Sequence, residues 1–209
     1  MDGKSCDPLE AISPADYLRA DVICGLFNAI NRAVFDDDHH SRFTLFLPSR
    51  SQPNRIVPWC RFYKGCADPF IEASVSKASY LRGEGYTGKA WEDPGTFIAS
   101  LFPGFSSRDE FKQYYVSRLR MPANVVDDIS DYMVGVRTIM TQGFIDCYGR
   151  ITGVLSIDVQ RLLGELHVPE TRIGKGRTQE SHGPEVEQLR SSVAVLYTVL
   201  ESLHMGDRR

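Results

Sequence analysis

Apolar residues recur at helical spacing near the start of the chain: Leu18, Val22, Leu26, Ala29 and Ala33 form one stripe, with Arg19, Asp21, Asn28 and Arg32 off it. Ser13, Pro14 and Asp16 supply start signals: a side-chain acceptor at the cap, a ring preset to helical φ, and an acid near the positive end of the peptide dipoles. Together they predict a helix from about residue 13 to residue 35. The polar run Asp36 to His40 ends it, after which Phe43, Leu45 and Leu47 alternate with Thr44 and Phe46 as in a short strand. Ser49 to Asn54 reads as a turn and Ile56 to Tyr63 as the returning strand. Pro58 has no N–H for a ladder and predicts an edge position or a bulge there.

Helical spacing returns at Phe70, Val75 and Ala78, predicting a helix over 69–81 that exits through Gly83, Glu84 and Gly85. Between Trp91 and Asp131 the pattern is irregular. It supports a helix from about Arg108 to Leu119 capped by Ser106 or Ser107, a break at Pro122, and a short helical segment around Val125 to Ile129. Arg137 to Ile145 and Arg150 to Val159 are rich in β-branched and apolar residues and are separated by Asp146-Cys147-Tyr148-Gly149, the signature of a hairpin. Residues 171–184 are polar, with three glycines and no periodicity, and read as a mobile loop. Val186, Leu189, Val193, Leu196, Leu200 and Leu203 are spaced 3, 4, 3, 4 and 3 apart, a coiled-coil-like seam that needs a partner helix. The N-terminal stripe is the candidate, within the chain or across a dimer, since either would otherwise leave apolar surface in water. The order of elements predicts an α+β fold with antiparallel pairing.

Charge and cysteine usage narrow the function classes. The net charge of −3 comes from 27 acids and 24 bases scattered along the 209 residues, with no basic block to follow a phosphate backbone, so no direct nucleic-acid partner is expected. No apolar run approaches the roughly 20 residues of a spanning helix, and MDGKSCDPLE lacks the apolar segment of a secretory signal. A cytoplasmic protein with no membrane partner is the expectation. Five cysteines, Cys6, Cys24, Cys60, Cys66 and Cys147, without CxxC spacing, argue against a disulfide framework and a zinc ribbon and for reduced thiols. The reading places tails at 1–12 and 206–209 around one domain over 13–205.

Two segments carry a family resemblance. GEGYTGKAW at 83–91 resembles the GAF-family turn in which Gly-x-Gly precedes a further Gly and a small residue. TIMTQGFIDCYGRITGVLSIDV at 138–159 is similar to that family's central hairpin, ending in Gly-Val-Leu-x-hydrophobic-Asp. The resemblance extends over about residues 15–205. It implies a GAF-like central antiparallel sheet of six or so strands flanked by helices, the N- and C-terminal helices on one face and a small-molecule pocket under the other. Residues 92–137 exceed the usual length and read as an inserted helical cap over that pocket.

On the pocket side of such a fold, Arg61 and Tyr63 on the second strand, Tyr80, Tyr86 and Thr87 around the glycine turn, and Arg137, Ile139 and Thr141 entering the hairpin are the candidate ligand-binding residues. An arginine among tyrosines suits an anionic, planar ligand through forked hydrogen bonds and stacking, while aromatics also serve simply as packing. Gly83, Gly85 and Gly88 bring backbone close to a ligand or to neighbouring chain. Asp36 to His40 has metal-binding composition, but adjacent loop side chains seldom converge on one ion. In the free methionine sulfoxide reductases of the GAF superfamily, a catalytic cysteine precedes the glycine of the turn resembling GYTG; here Thr87 stands in that place. The resemblance therefore implies a non-catalytic sensory or regulatory module that binds a small molecule and acts through a partner protein, with no cofactor assigned, and the terminal helices add the expectation of a homodimer. A ligand-free scaffold is the alternative. A thiol-dependent reductase is the second alternative, and it requires two cysteines within disulfide reach, with Cα atoms within about 7 Å.

Overall fold

The computed structural model describes residues 14–35, 41–49, 52–63, 79–94, 97–145, 148–161, 188, 191–196 and 198. Helix α1 (Pro14–Phe35) starts at the proline, whose missing N–H costs nothing in a first turn. Its buried face is Ala20, Ile23, Phe27, Ile30 and Val34, rather than the stripe the sequence suggested: Val22 is 41% exposed, and Ala29 and Ala33 are exposed too. Two stripes of equal spacing interleave on this helix, and the one carrying the larger side chains fills the core. Leu18 lies outside the residues whose side chains are described.

Strands β1 (Ser41–Pro48) and β2 (Arg55–Tyr63) pair antiparallel. The ladder runs Leu45 opposite Cys60 and then Phe46 opposite Pro58, so Trp59 is an extra residue and the proline does mark a bulge. The helix read over 69–81 lies mostly outside the described residues, but its end is β-structure: Tyr80 and Leu81 form β3, pairing with Ile56 and Arg55. The segment 83–91, likened to a turn, instead enters helix α2 (Gly85–Glu92) at Gly85. Strand β4 (Phe97–Leu101) follows, unanticipated in a stretch read as helical insertion. Helix α3 (Arg108–Ser117) is capped by Ser107, whose side chain accepts from the Glu110 N–H at 3.2 Å. Helix α4 (Ala123–Asp127) and a 3-10 turn at Asp131–Gly135 complete the covering layer. The hairpin of β5 (Thr138–Ile145) and β6 (Ile151–Val159) matches the sequence pattern.

The six strands form one antiparallel sheet in the order β3-β2-β1-β6-β5-β4. The fold is thus α+β, GAF-like in architecture, with helices on both faces. Alternation sorts the strand side chains. One face carries Phe43, Leu45, Leu47, Cys60, Met140, Phe144, Leu155, Ile157 and Val159, packed against α1 and against Val193 and Leu196 of the C-terminal helical segment. The two terminal helices share this face, so at least part of the C-terminal seam is satisfied within the chain. The other face is covered by α2, α3, α4 and the 3-10 turn, which have a core of their own in Phe102, Phe111, Tyr115, Met121, Val126 and Val136. Arg108 joins these pieces: Nη2 donates to the carbonyls of Val126 at 3.0 Å and Ile129 at 2.5 Å, near the end of α4 where carbonyls lack helical partners. Among the described residues, no helix is long and apolar enough to cross a membrane. The tails, the 171–184 loop and the Asp36–His40 run lie outside the described residues.

Candidate functional site

The covered face of the sheet holds a row of polar side chains where a sheet buried on both sides would ordinarily be apolar. Arg42, Thr44, Thr141, Ser156 and Asp158 are all buried there, and Arg61 is half-buried. Arg42 and Asp158 stand directly opposite each other on β1 and β6. Nε and Nη2 of Arg42 both donate to Asp158 Oδ2, at 2.9 and 2.7 Å, and Ser156 Oγ donates to Oδ1 at 3.1 Å. The guanidinium also lies 4.2 Å from the centroid of the Tyr132 ring and touches Met133 Sδ. Such a pair offsets its two charges locally, at a desolvation cost that only complete hydrogen bonding repays.

Arg61 is placed differently. Its Nε donates to Thr44 Oγ1 at 3.0 Å across the β1·β2 ladder, while its two terminal nitrogens have no hydrogen-bond partner among the described residues. Burial, and secondarily the positive Arg42 nearby, lower its pKa to about 10. The guanidinium remains charged at neutral pH, so among the described residues of the wall two cations, Arg42 and Arg61, face one carboxylate, Asp158, whose charge offsets that of Arg61 only in part.

Tyrosines surround this charge. The Tyr80 phenol is pushed up to about 12, mainly by burial and then by the negative Asp158. Tyr115 reaches in from α3, its hydroxyl buried without a hydrogen-bond partner among the described residues and its pKa raised well above the ordinary value, chiefly by burial. The cavity between these groups is about 30 Å³, room for one or two waters. The sheet contributes Arg42, Phe46, Arg61, Ile139, Ser156 and Asp158 to its wall, β3 contributes Tyr80, and α2 contributes Gly85, Tyr86 and Thr87. Tyr115, Met121, Ile129, Ser130 and Met133 close it from the covering layer.

Two glycines let α2 take up this position. At Gly88 a Cβ would fall 2.2 Å from the Leu81 carbonyl oxygen, so the helix can lie this close to β3 only without a side chain. Gly85 has φ of +58° and faces Met121. Thr141 Oγ1 donates to the Tyr86 carbonyl at 3.4 Å and helps hold α2 to β5.

Of the residues singled out from sequence, Arg61, Tyr80, Tyr86, Thr87 and Ile139 line the cavity. Thr141 lies on the same face but acts on the α2 backbone. Tyr63 and Arg137 are not in the wall. The Tyr63 ring packs edge-on against Tyr132, with centroids 5.5 Å apart, and the Arg137 guanidinium lies against Gly104. Both sit at the ends of their strands, beyond the cavity. Sequence reading missed Arg42, Tyr115, Ser156 and Asp158. A signal existed for three of them: a charged or hydroxyl residue at every second position between buried apolar ones marks a polar thread on a covered strand face.

Among the described residues no cysteine lines the cavity, and Thr87 stands in its wall. The sulfurs of Cys24 and Cys60 do approach to 3.3 Å, both as free thiols, but on the opposite, apolar face of the sheet. Among the described residues, no group of three or more His, Cys, Asp or Glu side chains is placed to hold a metal ion.

No family model and no curated protein matches the sequence. Among solved structures, the GAF domain of a two-component sensor histidine kinase from Bacillus halodurans is 14% identical, with 92% of this chain and 98% of that one covered and a TM-score of 0.41. The chain is similar in fold to GAF domains. The GAF domain of a phosphoenolpyruvate-protein phosphotransferase from Acinetobacter is 10% identical over 91% of this chain and 93% of that one, with a TM-score of 0.43. A free methionine-R-sulfoxide reductase from Neisseria meningitidis, solved with its substrate, is 14% identical over 93% of this chain and 86% of that one, with a TM-score of 0.46.

Proposed function

We propose that this chain is a non-catalytic, small-molecule sensory domain whose cavity receives a small anionic ligand and whose occupancy is passed to a partner protein. Arg61 carries the reading: it lines the cavity, its Nε is fixed by Thr44, and its two terminal nitrogens have no hydrogen-bond partner among the described residues. A half-buried cation beside a second guanidinium is favoured by whatever supplies negative charge and acceptors. The unpaired Tyr115 hydroxyl in the same wall adds a donor for the same ligand. At about 30 Å³ the cavity admits only a few atoms as it stands; a larger ligand requires the Met121 and Met133 side chains, both unbranched and adaptable, to move aside.

The ligand-free scaffold is the second reading, and the small cavity volume favours it. Under either reading we propose a homodimer, supported by Val22 and Val195, which stand 41% and 62% exposed on the two helices of one face.

Native mass spectrometry of the purified chain, followed by thermal shift with inorganic phosphate, nitrate and short carboxylates, tests the sensor reading. A retained mass, or a rise in Tm with at least one anion that is lost in Arg61→Gln, supports it. No retained mass and no shift with any of them leaves the scaffold.

A further inference from the structure

On the face of the sheet away from the cavity, the structure brings together two thiols 36 residues apart in sequence. Cys24 on α1 and Cys60 on β2 have their sulfurs 3.3 Å apart, and neither is in a disulfide. Cys60 is fully buried in the apolar core, whereas Cys24 is half-buried at its edge. One thiol is thus accessible from solvent and the other is held in contact behind it, the arrangement of an attacking and a resolving cysteine.

We propose that Cys24 and Cys60 are a redox-active dithiol that a hydroperoxide converts to an intramolecular disulfide, giving the domain a second input independent of the cavity. The Cys24 thiolate attacks a peroxide oxygen; the O–O bond breaks, and the departing oxygen takes a proton and leaves as water or an alcohol. Cys24 is now a sulfenic acid. The Cys60 sulfur gives up its proton and attacks the Cys24 sulfur; the S–S bond forms, the S–O bond breaks, and the released hydroxide takes that proton as water. Two thiols have lost two protons and two electrons, and the hydroperoxide has been reduced by the same two electrons.

The electrostatics divide the roles in the same sense. The hydrogen bond with Cys60 lowers the Cys24 pKa, outweighing burial and the nearby Asp21, which both raise it; the same bond and burial push Cys60 up. Solvent exposure assigns the attack to the same sulfur, since Cys24 is half-buried and Cys60 fully buried. The disulfide would tether α1 to β2 and so fix the helix that shares the apolar face with the C-terminal segment.

The full-length chain is treated with graded hydrogen peroxide, quenched by alkylation and mapped by peptide mass spectrometry without reduction. The expected product is a Cys24 peptide joined to a Cys60 peptide with two hydrogens lost, reversed by dithiothreitol. In Cys60→Ser, Cys24 is expected to accumulate as a sulfenic acid trapped by dimedone, and Cys24→Ser should give no trapping at Cys60. On the wild-type protein alone, Cys24 should react with iodoacetamide several-fold faster at neutral pH than an unstructured cysteine peptide. Oxidation of Cys24 to sulfinic acid without the linked peptide, or an alkylation rate at or below that of the free peptide, overturns the proposal.

Discussion

Arg42 and Asp158 are 116 residues apart in sequence and directly opposite in the sheet, with two guanidinium nitrogens on a single carboxylate oxygen. Removing one member strands the other as an unpaired charge in a buried site. Asp158→Ala is expected to lower unfolding stability by about 3–5 kcal/mol, measured by urea denaturation. Replacing both residues with apolar ones of similar volume should recover much of that loss, because the pair's own desolvation cost disappears with it.

Arg61 should behave in the opposite way. Its folded pKa of about 10 lies below the 12.5 of the free side chain. For a base this means the folded state bears the cost of the charge at every pH below about 10; between 10 and 12.5 stability rises as the folded form gives up its proton first. Arg61→Met should therefore stabilise the ligand-free protein by about 1–2 kcal/mol, uniformly from pH 6 to 9, as read by urea midpoints. A loss of stability would make Arg61 a structural residue.

The Tyr115 hydroxyl is buried without a hydrogen-bond partner among the described residues. Tyr115→Phe removes only that group and should raise stability by about 1 kcal/mol in thermal unfolding of the ligand-free chain. If the hydroxyl serves a ligand, the same substitution should weaken the anion-induced rise in Tm.

Gly88→Ala is expected to cost about 1–3 kcal/mol or more, because the added methyl meets the Leu81 carbonyl oxygen at 2.2 Å. The helix would have to move off β3, carrying Tyr86 and Thr87 out of the cavity wall. Circular dichroism melting and anion binding should therefore fall together.

The legible parts of this fold were those stabilised locally. The β5–β6 hairpin announced itself through β-branched residues around a glycine turn, and α3 through the Ser107 cap. Helix α2 did not: Gly85 and Gly88 are poor helix formers, and its buried Ala90 and Trp91 show tertiary packing overriding propensity. Strand β4 is five residues long, too short for periodicity to separate it from its neighbours. On α1 the helix was evident but its buried face was not, since Leu26 and Ile23 belong to stripes of equal spacing. In the cavity, Arg61, Tyr80 and Tyr86 stood out by residue type, whereas Arg42 and Asp158 are joined only by strand register, which one sequence does not display.

The extra residue at Trp59 fixes more than a kink. With an unbroken ladder, Trp59 would pair with Leu45, Cys60 would stand opposite Thr44 in the cavity, and Arg61 would lie opposite Phe43 among the aromatic rings beneath α1. By absorbing one residue, the bulge acts as a parity correction: it sends the cation to the polar face and the thiol to the apolar one. The separation of Arg61 and Cys60 onto opposite faces thus depends on a phase shift of one residue beside a proline.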